Sequence, residues 1–402
     1  MSPQRVVITG LGVTAANALS AEALAQALVE RRSGIQRTAP FDIEGRTYSA
    51  GVVDLPEEPP GGVDRVSRLA LHAAEQALRD SGLEADGHWR EEAGVMLGTS
   101  RGPALSLEHV IRAGGDEDVR RRAFGEVPFS SIARNVADRF GLGGILSTVT
   151  MACVSSSLAM GRALDEIRQG RASVMLAGGA DALTLLSFSG FSVLRAMTPT
   201  VCRPFDRRRN GMVLGEGAGI LVLEELNHAR KRGARIHAEL CGWGSAGDAH
   251  HPTSPHPEGR GLQQAMTLAL RQAGLTPEQL DFVNLHGTGT PANDPAECQA
   301  LRAVFGARAT SVPVNSLKPY FGHTLGASGA LELIGSVLGM ARDFLPPTLH
   351  CEELDPKCDV DVVRGEGRAQ RIDTLMSTKS AFGGANVALI ARRLPEDGRA
   401  ER

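Results

Sequence analysis

The chain reads TVTMACVSSSLAMGRALDEIRQGRASVMLAGG from residue 148 to residue 179, and this segment sets one cysteine between two different apolar patterns. Residues 145–151 are apolar and rich in β-branched side chains, which favours a strand. From Val154 to Ile167 the apolar residues approximate helical spacing, and Gly170 follows where a helix would end. The pattern therefore predicts that Cys153 lies in a strand-to-helix turn of an α/β fold.

A cysteine in such a turn is a candidate nucleophile. The unpaired N–H groups and the positive dipole end of the first helical turn favour a thiolate, the form of cysteine that attacks a carbonyl carbon. The alternative is a structural role, because free cysteines are commonly small buried hydrophobic residues. A chemical role for Cys153 therefore needs partner residues from elsewhere in the chain.

Composition argues against several classes of protein. The 402 residues, 42% of them hydrophobic, suffice for the core of one large α/β domain or of two fused ones. A formal charge of -3, from 43 basic and 46 acidic residues, gives no overall field that would attract nucleic acid or an anionic membrane. We therefore expect no nucleic-acid partner and no membrane partner.

The distribution of apolar residues and cysteines indicates the compartment. Residues 1–19 hold no apolar core long enough for a signal peptide, and no later run approaches the roughly 20 apolar residues of a membrane span. The six cysteines include no CxxC pair, which disfavours a disulfide framework and a structural zinc site. These features predict a cytoplasmic protein with reduced thiols.

Two further segments match ligand sites only weakly. Residues 5–16, RVVITGLGVTAA, carry glycines spaced much as in a dinucleotide-binding turn, but no acidic residue closes a second strand about 20 positions later. We interpret these glycines as a tight strand-to-helix turn. His250, His251 and His256 suggest a metal, yet prolines interrupt the segment and no ordered second pair of ligands is nearby, so we expect no metal site.

Two other histidines follow predicted strands. Residues 282–285 form a short apolar run that ends at His286, and residues 312–316 precede His323. Open α/β sheets form their ligand crevices at such strand ends. Three strand-loop-helix units therefore direct Cys153, His286 and His323 toward one site.

Local signals near these units predict supporting features. After the first of the two histidines, Asp294, Pro295 and Glu297 have the order of a helix N-cap, a first helical residue and a capping-box acid. Near the end of the chain, Gly383 and Gly384 predict a tight turn where a backbone N–H can approach a substrate oxygen.

The Cys153 and His323 units share one layout. Each has a strand, the reactive residue, small residues that include serines, and then a long helix. This similarity suggests an internal structural duplication. We expect residues 1–245 to form the half that carries the cysteine and residues 246–402 to form the half that carries both histidines.

A set of motifs spread over nearly the whole chain carries a family resemblance. These motifs are VVITGLGV, ACVSSS, AGGAD, PFDRRRNGMVLGEGAG, HGTGTPANDPAE, NSLKPYFGHTLGASGALE and AFGGAN. With them the chain resembles the β-ketoacyl-acyl carrier protein synthases of the thiolase superfamily, particularly the elongating type of dissociated bacterial systems. The resemblance implies a five-layered α-β-α-β-α fold made of two related halves, usually homodimeric, and a decarboxylative Claisen condensation.

The resemblance also implies roles for individual residues. Cys153 would take an acyl chain from an acyl carrier protein as a thioester. His286 and His323 would assist decarboxylation of a malonyl extender and stabilise the resulting enolate as neutral hydrogen-bond donors. Lys318 would set the electrostatics of the site together with Glu332. No cofactor is implied beyond the phosphopantetheine that carries the substrates.

Binding residues follow from the same resemblance. The N–H groups of Cys153 and Phe382 would form an oxyanion hole, and Phe382 with Gly383 would form a gate. The phosphopantetheine arm would be bound by the hydroxyl groups of Thr288, Thr290 and Thr253. Basic residues near the pocket mouth would face an acidic carrier helix; the candidates are Arg65, Arg68, Arg203 and Arg207.

Several functions remain open within and beyond this family. Fatty acid elongation is the first expectation, and a ketosynthase of a dissociated (type II) polyketide or polyene pathway, paired with a chain-length partner in a heterodimer, is the second. A non-catalytic chain-length subunit typically lacks the cysteine, and a degradative thiolase uses a second, glycine-flanked cysteine that neither Cys351 nor Cys358 matches. Residues 380–386 read SAFGGAN where the family commonly has Phe-Gly-Phe-Gly-Gly-Thr-Asn, which leaves acyl specificity open.

Overall fold

The computed structural model describes residues 3–37, 41, 48–55, 62–83, 87–112 and 116–394. The strands in this part of the chain are β1 (Val6–Ala15), β2 (Ile35–Gln36), β3 (Ala50–Gly51), β4 (Gly94–Gly98), β5 (Leu146–Val149), β6 (Val174–Asp181), β7 (Leu214–Gly215), β8 (Gly217–Glu225), β9 (Ala238–Gly247), β10 (Phe282–Asn284), β11 (Val314–Asn315), β12 (Phe344–Leu345), β13 (Arg368–Ala369), β14 (Thr374–Ser380) and β15 (Ala385–Arg392).

Helices alternate with these strands along most of the chain. They are α1 (Ala21–Val29), α2 (Arg65–Ser81), α3 (Trp89–Glu92), α4 (Ala104–Arg112), α5 (Glu117–Glu126), α6 (Ser131–Phe140), α7 (Ser155–Arg168), α8 (Leu185–Val193), α9 (Leu226–Lys231), α10 (Arg260–Ala273), α11 (Asn293–Phe305), α12 (Lys318–Phe321) and α13 (Ser328–Ala341). Within the described residues, no helix combines the length and the apolar character that crossing a bilayer requires.

Ten strands of the described chain form one sheet in the order β11-β10-β14-β15-β9-β1-β8-β6-β4-β5. In the first half, β4 is parallel to β5 and β6, while β6–β8 and β8–β1 are antiparallel. In the second half, β10 is parallel to β11 and β14, while β14–β15 and β15–β9 are antiparallel. The same order and pairing therefore occur twice, as an internal duplication would produce.

The two halves join where β1 and β9 pair antiparallel through Val7 and Ile8. The second set of strands begins at Ala238. The division that the sequence suggested between residues 245 and 246 therefore falls inside β9, and the structural repeat starts several residues earlier.

Five layers follow from the packing of helices on these strands. Helices α7 and α13 lie at the centre, where α7 packs on β6 and β15 and α13 packs on β8 and β14. Helices α2 and α6 cover the outer face of the first half, and α10 covers the outer face of the second. The three largest buried apolar clusters fill the spaces between the layers. The predicted α-β-α-β-α fold is confirmed.

The glycines of β1 have a different role from the one their spacing suggested. Gly10 and Gly12 lie in the middle of a continuous strand, not in a strand-to-helix turn. A Cβ at Gly10 would lie 2.1 Å from the Ala77 carbonyl oxygen, and one at Gly12 would lie 1.8 Å from that of Ala73. The missing side chains let α2 pack directly on the strand, so the predicted turn is wrong.

Candidate active site

Cys153 lies in the turn between β5 and α7, as its flanking patterns predicted. The preceding residue, Ala152, has φ = +46°, a left-handed conformation that non-glycine residues rarely adopt. The Ser155 side chain holds this turn, because its Oγ accepts from the Met151 N–H at 2.8 Å and donates to the Ala152 carbonyl at 2.7 Å. Backbone strain of this kind persists where surrounding contacts fix it, commonly at functional sites.

The charge state of Cys153 differs from the expectation. Burial raises the pKa of the Cys153 thiol to about 12, although the positive charge of Lys318 acts in the opposite direction. Burial therefore favours the neutral thiol in the free protein and opposes the stabilisation of a thiolate that we expect from the helix N-terminus. The thiolate must instead form as the reaction proceeds.

The three predicted reactive residues meet at one point. The Cys153 Sγ and one ring nitrogen each of His286 and His323 lie within 4.8 Å of one another, and all three residues are buried. The two imidazole rings are 5.1 Å apart between centroids and nearly perpendicular at 84°. The strand ends of both halves thus converge on the cysteine.

Hydrogen bonds define which nitrogen of His286 carries the proton. The Lys318 Nζ lies 3.1 Å from His286 Nδ1, and an ammonium group can only donate. The proton of the neutral ring is therefore on Nε2. Burial, followed by the charge of Lys318, lowers the pKa of His286 well below its usual value, which keeps the ring neutral.

The same reasoning applies to His323. The Leu325 backbone N–H donates to His323 Nδ1 at 3.2 Å, and the Ser328 hydroxyl lies 2.9 Å from the same atom. Because Nδ1 accepts, the proton is again on Nε2. Burial, with Lys318 as the next cause, lowers the pKa of His323 well below its usual value. The site therefore holds two neutral Nε2–H donors.

A second buried lysine, which the sequence reasoning missed, supports this arrangement. Glu332 accepts from Lys318 at 2.7 Å through Oε1 and lies 2.9 Å from Lys379 Nζ through Oε2, and all three side chains are fully buried. Lys379 also donates to Asn284 Oδ1 at 2.8 Å. Burial lowers the pKa of Lys379 to about 8. The signal in the sequence was a lysine inside the otherwise uncharged strand TLMSTKS.

Asp294 and Glu297 hold loops and do not cap a helix. Helix α11 begins at Asn293 after Ala292, so Asp294 is its second residue and the predicted capping box is wrong. The Glu297 carboxylate accepts from the backbone N–H groups of His286 and Gly287, both at 2.7 Å. The side chains that the local sequence pattern predicted to cap α11 instead bind backbone groups of other segments.

These two carboxyl groups form a buried acidic pair. Burial, followed by the nearby charge of Asp294, raises the pKa of Glu297 to about 7. Burial also raises the pKa of Asp294, whose carboxylate accepts from the Phe205 N–H at 2.9 Å and from the Gly289 N–H at 3.2 Å. Both groups therefore fix the backbone of the loop that begins at His286, and Asp294 also ties it to Phe205.

A cavity of about 210 Å³ leads to the cysteine. Its lining includes Cys153, both histidines and three predicted pantetheine-binding residues, Thr253, Thr288 and Thr290. The Thr288 and Thr290 hydroxyl oxygens are 2.9 Å apart. The lining is mostly apolar around these polar groups, which suits the phosphopantetheine arm and its thioester.

Phe382 lies in the wall of this cavity, stacked on Phe191 with a centroid distance of 5.6 Å and an angle of 29°. The neighbouring Gly383 has φ = +88°, in agreement with the predicted tight turn. Its N–H, however, donates to the Pro252 carbonyl at 2.7 Å and is not free for a substrate oxygen. The oxyanion role of the Cys153 and Phe382 N–H groups stays a prediction.

The predicted carrier-docking arginines differ in their surroundings. Arg65 is only 19% exposed and binds Glu216 through Nε at 2.9 Å and through Nη2 at 2.6 Å. This ion pair ties Arg65 to the fold, and its expected docking role stays a prediction. Arg68 is half-buried on α2, Arg203 lies 3.8 Å from Glu352, and Arg207 pairs with Glu353 at the surface.

The charge around the reactive residues favours an anion. Thiolate and imidazole are also zinc ligands, so the donor set alone could suggest a metal. Here two ammonium groups, those of Lys318 and Lys379, face one carboxylate, that of Glu332. Both ammonium charges act on the His286 and His323 rings, where they oppose a further positive charge.

A duplicated five-layered fold with a cysteine and two histidines at its centre defines a condensing enzyme of the thiolase-like class, an acyltransferase. Residues 3–229 match "Beta-ketoacyl synthase, N-terminal domain" and residues 237–352 match "Beta-ketoacyl synthase, C-terminal domain". The chain therefore belongs to the beta-ketoacyl synthase family.

Two relatives and one solved structure illustrate the names found in this family. The chain is 38% identical to "Putative polyketide beta-ketoacyl synthase 1" of Streptomyces halstedii, covering 96% of this chain and 97% of that one. It is 37% identical to "3-oxoacyl-[acyl-carrier-protein] synthase 2" of Coxiella burnetii, covering 98% of this chain and 100% of that one. The solved structure titled "The ishigamide ketosynthase/chain length factor" superposes with a TM-score of 0.92 at 36% identity, covering 98% of this chain and 100% of that one.

Proposed function

We propose that this chain is a 3-oxoacyl-acyl carrier protein synthase that condenses an acyl group on Cys153 with a malonyl group on acyl carrier protein. The observation that carries the proposal is the meeting of one thiol and two Nε2–H imidazoles within 4.8 Å at the end of a threonine-lined cavity. The thiol provides the nucleophile, and two converging hydrogen-bond donors stabilise an enolate.

The first step transfers the acyl chain. The Cys153 sulfur attacks the carrier thioester, the new carbon–sulfur bond forms, and the bond to the pantetheine sulfur breaks. The thiol proton ends on the departing pantetheine thiol, so no external base is consumed. The first turn of α7 and the charge of Lys318 stabilise the sulfur as negative charge develops on it.

The second step joins the two chains. Loss of carbon dioxide from the malonyl thioester leaves an enolate, whose oxygen receives hydrogen bonds from the Nε2–H groups of His286 and His323. The enolate carbon attacks the Cys153 thioester, and the thiolate that leaves takes up one proton. No electron is gained or lost, and we propose that no resident cofactor or metal takes part.

Fatty acid elongation is the first candidate pathway, and type II polyketide synthesis is the second. The second is supported by the polyketide relative described above. Either pathway allows a partner on the exposed apolar face beside the site, where Leu146 of edge strand β5 is 47% exposed and Met151 is 49% exposed. A second copy or a chain-length partner would cover it, and the carrier protein would deliver both substrates.

Intact mass spectrometry of the protein after incubation with acyl carrier proteins tests this proposal. Saturated and oxygenated chains should each be offered to the chain alone and with a candidate chain-length partner, followed by malonyl carrier protein. Condensation by the chain alone on saturated chains supports fatty acid elongation. A requirement for the second subunit supports the polyketide pathway.

The variant Cys153→Ala is the matched control. It should lose acylation completely and keep decarboxylation of malonyl carrier protein, because both imidazoles and Lys318 remain. Cys241→Ala, at a buried thiol in β9, should keep both activities. Acylation of the folded Cys153→Ala protein, or no acylation of the wild type by any chain, would overturn the proposal.

A further inference from the structure

Arg101 lies in the loop after β4, between the segments that carry Cys153 and His323. A Cβ at Gly98, the last residue of β4, would lie 2.2 Å from the Ser155 backbone, which begins α7. A Cβ at Gly326 would lie 2.5 Å from the Ser100 nitrogen. The loop that carries Arg101 is therefore in direct contact with both reactive segments.

The position of this loop is fixed by one buried carboxylate. Asp181 accepts from the backbone N–H of Arg101 at 3.0 Å, from that of Ser100 at 2.7 Å and from that of Gly326 at 2.6 Å. Asp181 is fully buried at the end of β6. Arg101 thus projects from a rigid backbone, and its distance from the reactive residues is set by the fold.

The Arg101 guanidinium has no partner among the residues that the structure describes. Its Nε is buried without a hydrogen-bond acceptor, and the described chain offers it no ion pair. Arg209 shows the usual alternative, because its buried guanidinium pairs with Asp355 at 2.5 Å and donates to the Thr290 carbonyl at 3.1 Å. Burying a donor without an acceptor costs free energy, and an acceptor on a ligand beside this half-buried guanidinium would recover it.

Arg101 lies outside the cavity that would hold the carrier arm. Arg101 is not among the residues that line the threonine-bearing cavity, through which the pantetheine would enter. Its charge nevertheless reaches the nucleophile, since it acts against the rise that burial causes in the Cys153 pKa. The group bound to Cys153 on the side opposite the arm is the acyl chain itself.

We propose that Arg101 is a specificity-determining residue that binds an oxygen of the acyl chain held on Cys153. The ligand is an acyl group with a keto, hydroxyl or carboxylate oxygen near the thioester, because these are the acceptors that a guanidinium recognises. A saturated chain would leave the guanidinium unpaired and is disfavoured, so this inference favours the second of the two candidate pathways over fatty acid elongation. This inference rests on the proposed acyl transfer to Cys153 and names its substrate class.

The test compares carrier proteins loaded with four-carbon chains of similar size: butyryl, 3-oxobutyryl, 3-hydroxybutyryl and succinyl. The rate of Cys153 acylation, followed by intact mass, should be about tenfold or more higher for an oxygenated chain than for butyryl. Preference for succinyl identifies a carboxylate as the ligand, and preference for the other two identifies a neutral oxygen.

Variants assign that preference to Arg101. Arg101→Met should bring the four rates within about threefold of one another, and Arg101→Lys should restore part of the preference by keeping a positive donor. Arg195→Met, at the cavity side, serves as the matched control and should change all four rates by the same factor.

Equal rates for butyryl and every oxygenated chain in the wild type would overturn the inference and leave the proposed acyl transfer intact. An Arg101→Met protein that keeps the wild-type preference among the four chains would also overturn it. This holds even if the variant loses malonyl decarboxylation. Failure of all four chains to acylate the wild type would instead overturn the proposed function, and this inference with it.

Discussion

At the scale of single residues, the shared carboxylate of Glu332 decides the electrostatics of the site. Both Lys318 and Lys379 pair with this carboxylate, so it neutralises only part of the positive charge of Lys318. The remaining charge acts on His286. Breaking a buried pair by removing one partner typically costs 3–5 kcal/mol, about what an uncompensated buried charge requires. The charge balance around Glu332 therefore depends on whether Lys379 is protonated.

Replacing Lys379 with methionine should change the pH dependence of stability. Because the fold lowers the Lys379 pKa from 10.5 to about 8, the unfolded chain binds a proton between these pH values that the folded chain has released. The unfolding free energy of the wild type should therefore rise relative to Lys379→Met as pH increases through this range, by on the order of 2 kcal/mol.

Urea unfolding at intervals from pH 7 to pH 10.5 measures this difference. Lys357→Met, at an exposed lysine, is the control and should keep the wild-type pH dependence. Parallel stability curves for the wild type and Lys379→Met would contradict the assigned burial of an ionisable amine.

Sequence reasoning found the residues whose role follows from position along the chain. Cys153, His286 and His323 each follow a strand, and strand ends meet in an α/β sheet. Lys379 and Arg101 could not be found in this way. Their importance depends on burial and on which groups surround them, and neither property has a local pattern in the sequence.

At the scale of elements, close contact between β1 and α2 organises the first half of the fold. The carbonyls of Ala73 and Ala77 lie where side chains at Gly12 and Gly10 would be. Sequence reasoning read these glycines as a turn because glycine-rich strand ends and glycine-rich packing faces have the same spacing. Only the partner helix distinguishes the two.

Gly12→Ala should therefore destabilise the protein strongly. The added Cβ would lie 1.8 Å from the Ala73 carbonyl oxygen, and neither backbone can move without disturbing the sheet. We expect a loss of about 3 kcal/mol in unfolding free energy, measured by denaturant titration. Gly247→Ala, where a new Cβ would meet nothing within 4 Å, should change it by less than about 0.5 kcal/mol. Similar losses for both variants would refute the packing explanation.

At the scale of the whole molecule, delivery of substrate depends on surface charge. Arg207 is 58% exposed and pairs with Glu353 at the surface. If it meets an acidic carrier helix, Arg207→Glu should raise KM for carrier-bound substrate by about tenfold and leave turnover of a short pantetheine thioester unchanged.

Steady-state kinetics on both substrate types checks this expectation. Arg171→Glu, an exposed arginine beyond the far end of α7 from Cys153, should leave both KM values unchanged. An equal loss on the carrier-bound and short substrates would show that Arg207 acts on the site and not on docking.

The repeat of strand order gives corresponding positions to Cys153 and His323, since each follows the third strand that its half contributes to the ten-stranded sheet. A half-length chain that paired with itself would have presented one identical residue at both positions. Covalent fusion removes that constraint, because each copy of the loop can then change independently. A nucleophile facing a hydrogen-bond donor is an unsymmetrical pair, and it requires two copies of the loop that differ in sequence.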